Sequence, residues 1–223
     1  MQTNIENIRC TLYRQIDNLY GIEAKDKTLI EKYLEVAIDR AERCYSNLGN
    51  KYYQMGGVNP VHSGKWFTFL YYLANTIYNA EKPVSEDFRG TCDKIYCINK
   101  ALSMCEAYYE IQLPEIFFVE HPLSTILGRA QYGNCFAVYQ GCTVGANELG
   151  RYPVLGNHVI MFSNSKVLGD SHLGNDIILS ANAYVKDMDI PNGSIVYGQS
   201  PNLVIKQNHK DIIDEWNKKL FKI

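Results

Sequence analysis

Apolar residues recur at every sixth position from Leu155 onward: Leu155, Met161, Val167, Leu173, Leu179 and Val185. A helix needs apolar residues three and four apart, and a half-buried strand needs them two apart, so a sustained six fits neither. It is the spacing of a short-repeat solenoid, whose coils are too small to bury a core alone and stack on one another. The positions four further on, Val159, Ser165, Ser171, Ile177 and Ala183, are small or aliphatic and uncharged, so two positions per hexad look inward. Leu155-Gly156, Leu168-Gly169, Leu173-Gly174 and Leu179-Ser180 place small residues where a coil must bend.

Projected backward, the count places Val138 and Val144 inside, with Cys142 as the small partner of Val138, and Ile126 with Ala130. The runs before and after Asn147-Glu148-Leu149-Gly150-Arg151-Tyr152-Pro153 are out of phase by five residues. A polar break containing Gly and Pro inside a regular array is a loop pushed out of the stack, and loops on rigid scaffolds are where sites collect. The repeat covers Val119 to Ser200.

Residues 1–113 read differently, because their apolar positions follow helical spacing. Ile5, Ile8, Leu12, Ile16 and Leu19 form one stripe. Asp26 can cap a second helix that carries Ile30, Tyr33, Leu34, Ala37, Ala41, Cys44 and Leu48 and stops at Gly49. After the break at Gly56-Gly57-Val58-Asn59-Pro60, a third helix starts near Ser63 and ends at Glu81-Lys82-Pro83. A fourth starts at Thr91 and uses Ile95, Ile98, Leu102, Cys105 and Tyr109. The expected organisation is a helical domain over 1–113, a solenoid over 114–205 and a C-terminal helical tail over 206–223 that caps the open end of the stack.

The chain has 22 basic and 24 acidic residues and no long basic run, which favours neither nucleic acid nor an anionic membrane surface. Its N-terminus, Met1-Gln2-Thr3-Asn4-Ile5-Glu6, lacks a basic region followed by an apolar stretch, so no signal peptide or membrane span is expected and the location reads as cytoplasmic. Seven cysteines without a CxxC pair read as reduced thiols, mostly small core residues.

The stretch from Val119 to Ile205 resembles the hexapeptide-repeat acyltransferases, and within them serine O-acetyltransferases, which also carry a helical domain ahead of their coils. Val119-Glu120-His121, followed by Leu127-Gly128, resembles the family's Asp-His segment; Gln140-Gly141-Cys142-Thr143-Val144-Gly145 resembles its Gln-Ser-Val-Thr-Leu-Gly step; and Arg151-Tyr152-Pro153 resembles the Arg-His-Pro that closes the extruded loop. Ile190-Pro191 and Gly198-Gln199-Ser200-Pro201 resemble the segment after the last coil. The resemblance implies an N-terminal α-helical domain followed by a left-handed parallel β-helix with a short C-terminal helix. It implies an acetyl-CoA-dependent O-acetyltransferase acting on a small hydroxyl acceptor, a place in cysteine biosynthesis, and a homotrimer or a dimer of trimers.

In that likeness His121 is the general base and Glu120, Arg151 and Tyr152 hold the acceptor. Transfer from a thioester to a hydroxyl needs a base of near-neutral pKa, which suits histidine. Tyr152 stands where the family has His, and Glu120 where it has Asp, so both departures fall on the acceptor. Neighbours in a strand face opposite sides, so Glu120 is expected to meet the acceptor rather than orient His121, with Glu106, Glu110 and Glu115 as candidate orienters. Backbone N–H groups near Gly145 and Ala146 are candidate oxyanion donors. No GxxxxGK[ST] or strand-linked GxGxxG is present, so coenzyme A is placed by likeness, in a groove between subunits, near Gly145, Ala146, Ser163, Ser180 and Ala181, with Lys166 and Lys206 toward its phosphates. No metal is expected: His121, His158 and His172 lack the spacing of a zinc triad, and His158 and His172 fall at outward positions. A sugar or nucleotide-sugar acetyltransferase of the same fold and a non-catalytic scaffold are the alternatives.

Overall fold

A computed structural model describes residues 4–222. Five helices come first: α1 (Ile5–Tyr20), α2 (Ala24–Ser46), α3 (Lys51–Gln54), α4 (Ser63–Glu81) and α5 (Arg89–Ser103). Helix α1 starts where the Asn4 side chain accepts from the Asn7 N–H, and it buries Ile8, Leu12 and Ile16; Leu19, expected in the same stripe, is exposed in the last turn. Asp26 is not the first cap of α2. Glu23 takes that position, and Asp26 closes a capping box three residues later. Its buried carboxylate accepts from the Glu23 N–H (2.9 Å), the Thr91 hydroxyl (2.7 Å) and Lys94 Nζ (2.7 Å). Burial alone would raise its pKa, but these bonds outweigh burial and hold it below the ordinary aspartate range.

Helix α2 stops at Ser46, before Gly49, whose N–H instead donates to the Leu220 carbonyl at 2.8 Å. Helix α4 matches its expected bounds and is buried along almost its whole length, packed between α2 and α5. Helix α5 ends earlier than periodicity suggested. Met104 turns left-handed (φ 52°), and Cys105 joins a strand instead of continuing the apolar stripe.

The strands that follow are β1 (Cys105–Ala107), β2 (Phe117–Val119), β3 (Thr125–Leu127), β4 (Gln131–Tyr132), β5 (Phe136–Val138), β6 (Thr143–Gly145), β7 (Val154–Leu155) and β8 (Val159–Met161). Then come β9 (Lys166–Leu168), β10 (His172–Leu173), β11 (Ile177–Leu179), β12 (Tyr184–Lys186), β13 (Asp189–Ile190), β14 (Ile195–Gln199) and β15 (Asn202–Lys206), before helix α6 (Lys210–Leu220). They stack as a parallel solenoid with three faces. The first face is β2-β5-β8-β11-β14, the second β1-β3-β6-β9-β12 and the third β4-β7-β10-β13; β15 returns antiparallel on β14.

Every hexad residue from Leu155 to Val185 is buried, as are the five small partners from Val159 to Ala183. Ile126 is the exception to the backward projection. Leu127 pairs with Val144 and points inward, while Ile126 is 44% exposed, because the first turn is one residue short of the later ones. One corner carries an asparagine ladder: the side-chain oxygens of Asn134, Asn157, Asn175 and Asn192 accept from the backbone N–H groups of Ile116, Asn134, Asn157 and Asn175. Each rung satisfies a backbone donor that the bend removes from the strand ladder.

Helix α6 does not close the open end of the stack. It lies along the first face, with Trp216 against Phe162 (ring centroids 4.8 Å) and Asn217 Nδ2 donating to Asp176 at 3.2 Å, and Phe221 beyond it bridges to Leu48. The reason is that face's outward side. Phe118, Ala137, Ile160 and Ile178 point away from the solenoid core and are apolar, so they need cover. No helix among the described residues is long and apolar enough to cross a membrane.

Candidate active site

His121 lies at the corner that follows β2. Its backbone is left-handed (φ 48°), which ends the strand alternation and lets consecutive side chains converge. His121 Nε2 therefore lies 3.5 Å from a Glu120 carboxylate oxygen, contrary to the expectation that the two side chains part. The imidazole is 72% exposed and the carboxylate 26%. Burial pushes the Glu120 pKa up, with the His121 charge acting against it. Glu106, Glu110 and Glu115 do not reach His121: they pair with Lys100 (3.7 Å), Arg89 (2.8 Å) and Arg40 (2.8 Å).

The helical segment builds the rest of this corner. Asn50 caps α3 with its side-chain oxygen on the Tyr52 N–H (2.9 Å) and places its amide nitrogen 3.4 Å from Glu120 Oε2. The buried Tyr53 hydroxyl donates to the Val119 carbonyl at 2.6 Å, which fixes the strand end just before Glu120. That bond crosses the start of α4, where Gly64 leaves the room: a Cβ there would run into the Tyr53 hydroxyl and the Val119 carbonyl. Two clefts result, and both are walled by Glu120 and His121. The larger, about 490 Å³, lies between α3 and α6, with Asn50, Lys51, Tyr52, Tyr139 and Lys219 around it. The smaller, about 280 Å³, is closed by Tyr53 and by Val61, His62, Ser63 and Gly64.

The remaining candidates divide between two corners. Backbone pairing of Val119, Val138, Met161 and Leu179 runs on into a column in which His121, Gln140, Ser163 and Ala181 follow one another, with Ser180 one step before. The Gln140 side-chain oxygen in this column is buried without a hydrogen-bond partner among the described residues. Lys166 opens the next strand and donates to the Asn164 carbonyl at 3.1 Å, and Lys206 lies on β15 with Nζ 5.5 Å from the Tyr197 ring.

Gly145, Ala146, Arg151 and Tyr152 belong to the other corner, between the second and third faces. There the Asn147 side chain accepts from the Leu149 and Arg151 N–H groups and closes the extruded loop. Arg151 pairs with Asp170 at 2.6 Å. Tyr152 lines a separate cleft of about 580 Å³ with Tyr78, Gln112, Arg129 and Tyr132. The single chain thus does not bring Arg151 or Tyr152 to His121, and Gly145 and Ser163 do not share a groove within it. A solenoid face separates them.

His158 and His172 each meet a carboxylate, Asp176 at 3.0 Å and Asp189 at 2.9 Å. Among the described residues no three metal-ligating side chains lie together. All seven cysteines are free thiols. Burial pushes Cys44 up to about 12 and raises Cys92, Cys105, Cys135 and Cys142 as well, which leaves those thiols unreactive. Asn50, Tyr53 and His62 were not legible as site residues, because nothing in a helical stripe says which distant loop it faces.

No family model matches the chain. The serine acetyltransferase of Helicobacter pylori strain 26695 is 29% identical over 124 residues, which span 51% of this chain and 72% of that protein. The solved structure of serine acetyltransferase from Vibrio cholerae O1 biovar El Tor superposes with a TM-score of 0.71 at 16% identity, over 93% of this chain and 82% of that one. That of Brucella abortus serine acetyltransferase in complex with coenzyme A gives 0.63 at 14% identity, over 89% and 81%. The two structures establish a shared fold, and the H. pylori protein a similarity in sequence. The chain is thus similar in sequence to serine acetyltransferases and shares their fold.

Proposed function

We propose that this protein transfers the acetyl group of acetyl-CoA to the hydroxyl of a small acceptor, with L-serine the first candidate and residues 114–205 the transferase unit. The observation that carries the reading is the His121–Glu120 pair, held at a corner by the helical segment and open to two clefts. In the reaction, neutral His121 takes the hydroxyl proton as the oxygen attacks the thioester carbonyl. Glu120, 3.5 Å away, steadies the imidazolium that forms. The proton then returns to the departing thiolate, giving free coenzyme A and the O-acetyl product.

A homotrimer completes the arrangement. It sets the corner bearing Gly145, Ala146, Arg151 and Tyr152 of one protomer against the His121 corner of the next. What supports this is the division of the candidates between two corners, and the coenzyme A complex of the B. abortus relative shows the ligand on the same fold. Gly145 and Ala146 then supply N–H donors to the oxyanion. Ser163, Ser180 and Ala181 line the pantetheine arm, and Lys166 and Lys206 face its phosphates.

A sugar acceptor is the second reading, favoured by the exposed Tyr52 ring in the larger cleft. The test is an acceptor panel with acetyl-CoA, read by release of free thiol and by mass of the product. L-serine should give O-acetylserine at the highest kcat/KM. Preference for a sugar or nucleotide sugar would replace serine as the acceptor, and thiol release with none of them would overturn the transferase reading.

A further inference from the structure

The turn that opens α4 forms one wall of the smaller cleft beside His121, and the imidazole on that turn is His62. Its ring is fixed from two sides. Nδ1 accepts from the Lys65 N–H at 3.3 Å, capping the helix, and the Tyr53 ring packs edge-on at 5.0 Å. A nitrogen that accepts has no hydrogen, so the hydrogen of the neutral ring is on Nε2. Burial, and then the charge of Lys65, hold the His62 pKa below the ordinary histidine value, so the ring stays neutral near neutral pH. Lys65 is itself pinned: its Nζ donates to the carbonyls of Met55 (2.7 Å) and Gly56 (2.6 Å). Among the described residues nothing accepts from His62 Nε2. The cleft therefore has an imidazole free to take a proton, His121, and a second one arranged to give a hydrogen bond.

We infer that His62 contacts the acceptor: its Nε2–H donates to an oxygen of the molecule whose hydroxyl faces His121, a carboxylate or hydroxyl oxygen in chemical class. The inference rests on the reading of His121 as the base. It also gives the site a second histidine from the helical segment, in a chain whose extruded loop carries Tyr152 instead.

Two substitutions in the full-length protein separate contact from capping. Asparagine is a favoured N-cap, so His62→Asn keeps the cap while removing Nε2–H; His62→Ala removes both. For His62→Asn we expect an unchanged melting temperature, an unchanged KM for acetyl-CoA, and a kcat/KM for the best acceptor of the panel lower by about tenfold to a hundredfold. His62→Ala should show the same kinetic loss and melt lower. Wild-type acceptor kinetics in His62→Asn would overturn the inference, as would an equal loss toward both substrates with a lowered melting temperature. His121→Asn in parallel keeps the two readings apart. If it is inactive while His62→Asn is unimpaired, the role of His62 alone fails; if it is fully active, or if the wild type acetylates nothing, both fail.

Discussion

At the scale of single residues, two buried charges anchor the helical segment, and they are held in different ways. Lys65 is held by backbone carbonyls, whereas Asp26 is held by Lys94, Thr91 and the Glu23 N–H. Its folded pKa is depressed, so the stability Asp26 contributes is complete above the carboxylate pKa of the unfolded chain and is lost as pH falls through the folded value. Removing that charge leaves Lys94 without its strongest partner, at a cost of about 3 kcal/mol. Asp26→Asn should therefore melt well below the wild type at pH 7, and the gap should narrow at pH 3. A gap as wide at pH 3 as at pH 7 would show that the carboxylate's charge is not what matters. Asp26 was legible as a helix-start residue but not as a buried ion, since its side-chain partners Thr91 and Lys94 come from α5, 65 and 68 residues along the chain.

Among elements, the period of six located the coils because each inward position must be apolar or small wherever the chain turns three times per coil. The register failed once, at Ile126, where a shorter turn shifts the phase by one residue; a count at fixed period does not sense that. Helix α6 was legible as an amphipathic tail but not in its place. The missed signal was the outward apolar row Phe118, Ala137, Ile160 and Ile178, which marks a covered face. If α6 is the cover, Trp216→Ala should remove the packing on Phe162 at a cost of about 1–3 kcal/mol. Because Lys219 and Leu220 border the larger cleft, the same change should raise the acceptor KM more than that for acetyl-CoA. Calorimetric melting and initial rates check both effects, and wild-type values in each would show that α6 is dispensable there.

For the molecule as a whole, the fold is a stack of coils with a helical segment docked at its first turn, and the candidate site is where the two meet. His121 and Glu120 could be read from the sequence because their motif lies in order with the loop and the repeats. Asn50, Tyr53 and His62 could not, because they approach His121 through the packing of α2, α3 and α4 rather than through any spacing. Nor could the separation of Arg151 and Tyr152 from His121, since sequence order does not say which corner a residue occupies. The central claim is that His121 is the base of an acetyl transfer. His121→Asn tests it most directly, because asparagine tolerates the left-handed backbone at this position and the exposed ring carries no packing. The measurement is the initial rate of thiol release from acetyl-CoA with the best hydroxyl acceptor, at matched melting temperature. The account predicts a fall of about a hundredfold or more, and a variant that keeps the wild-type rate would contradict it.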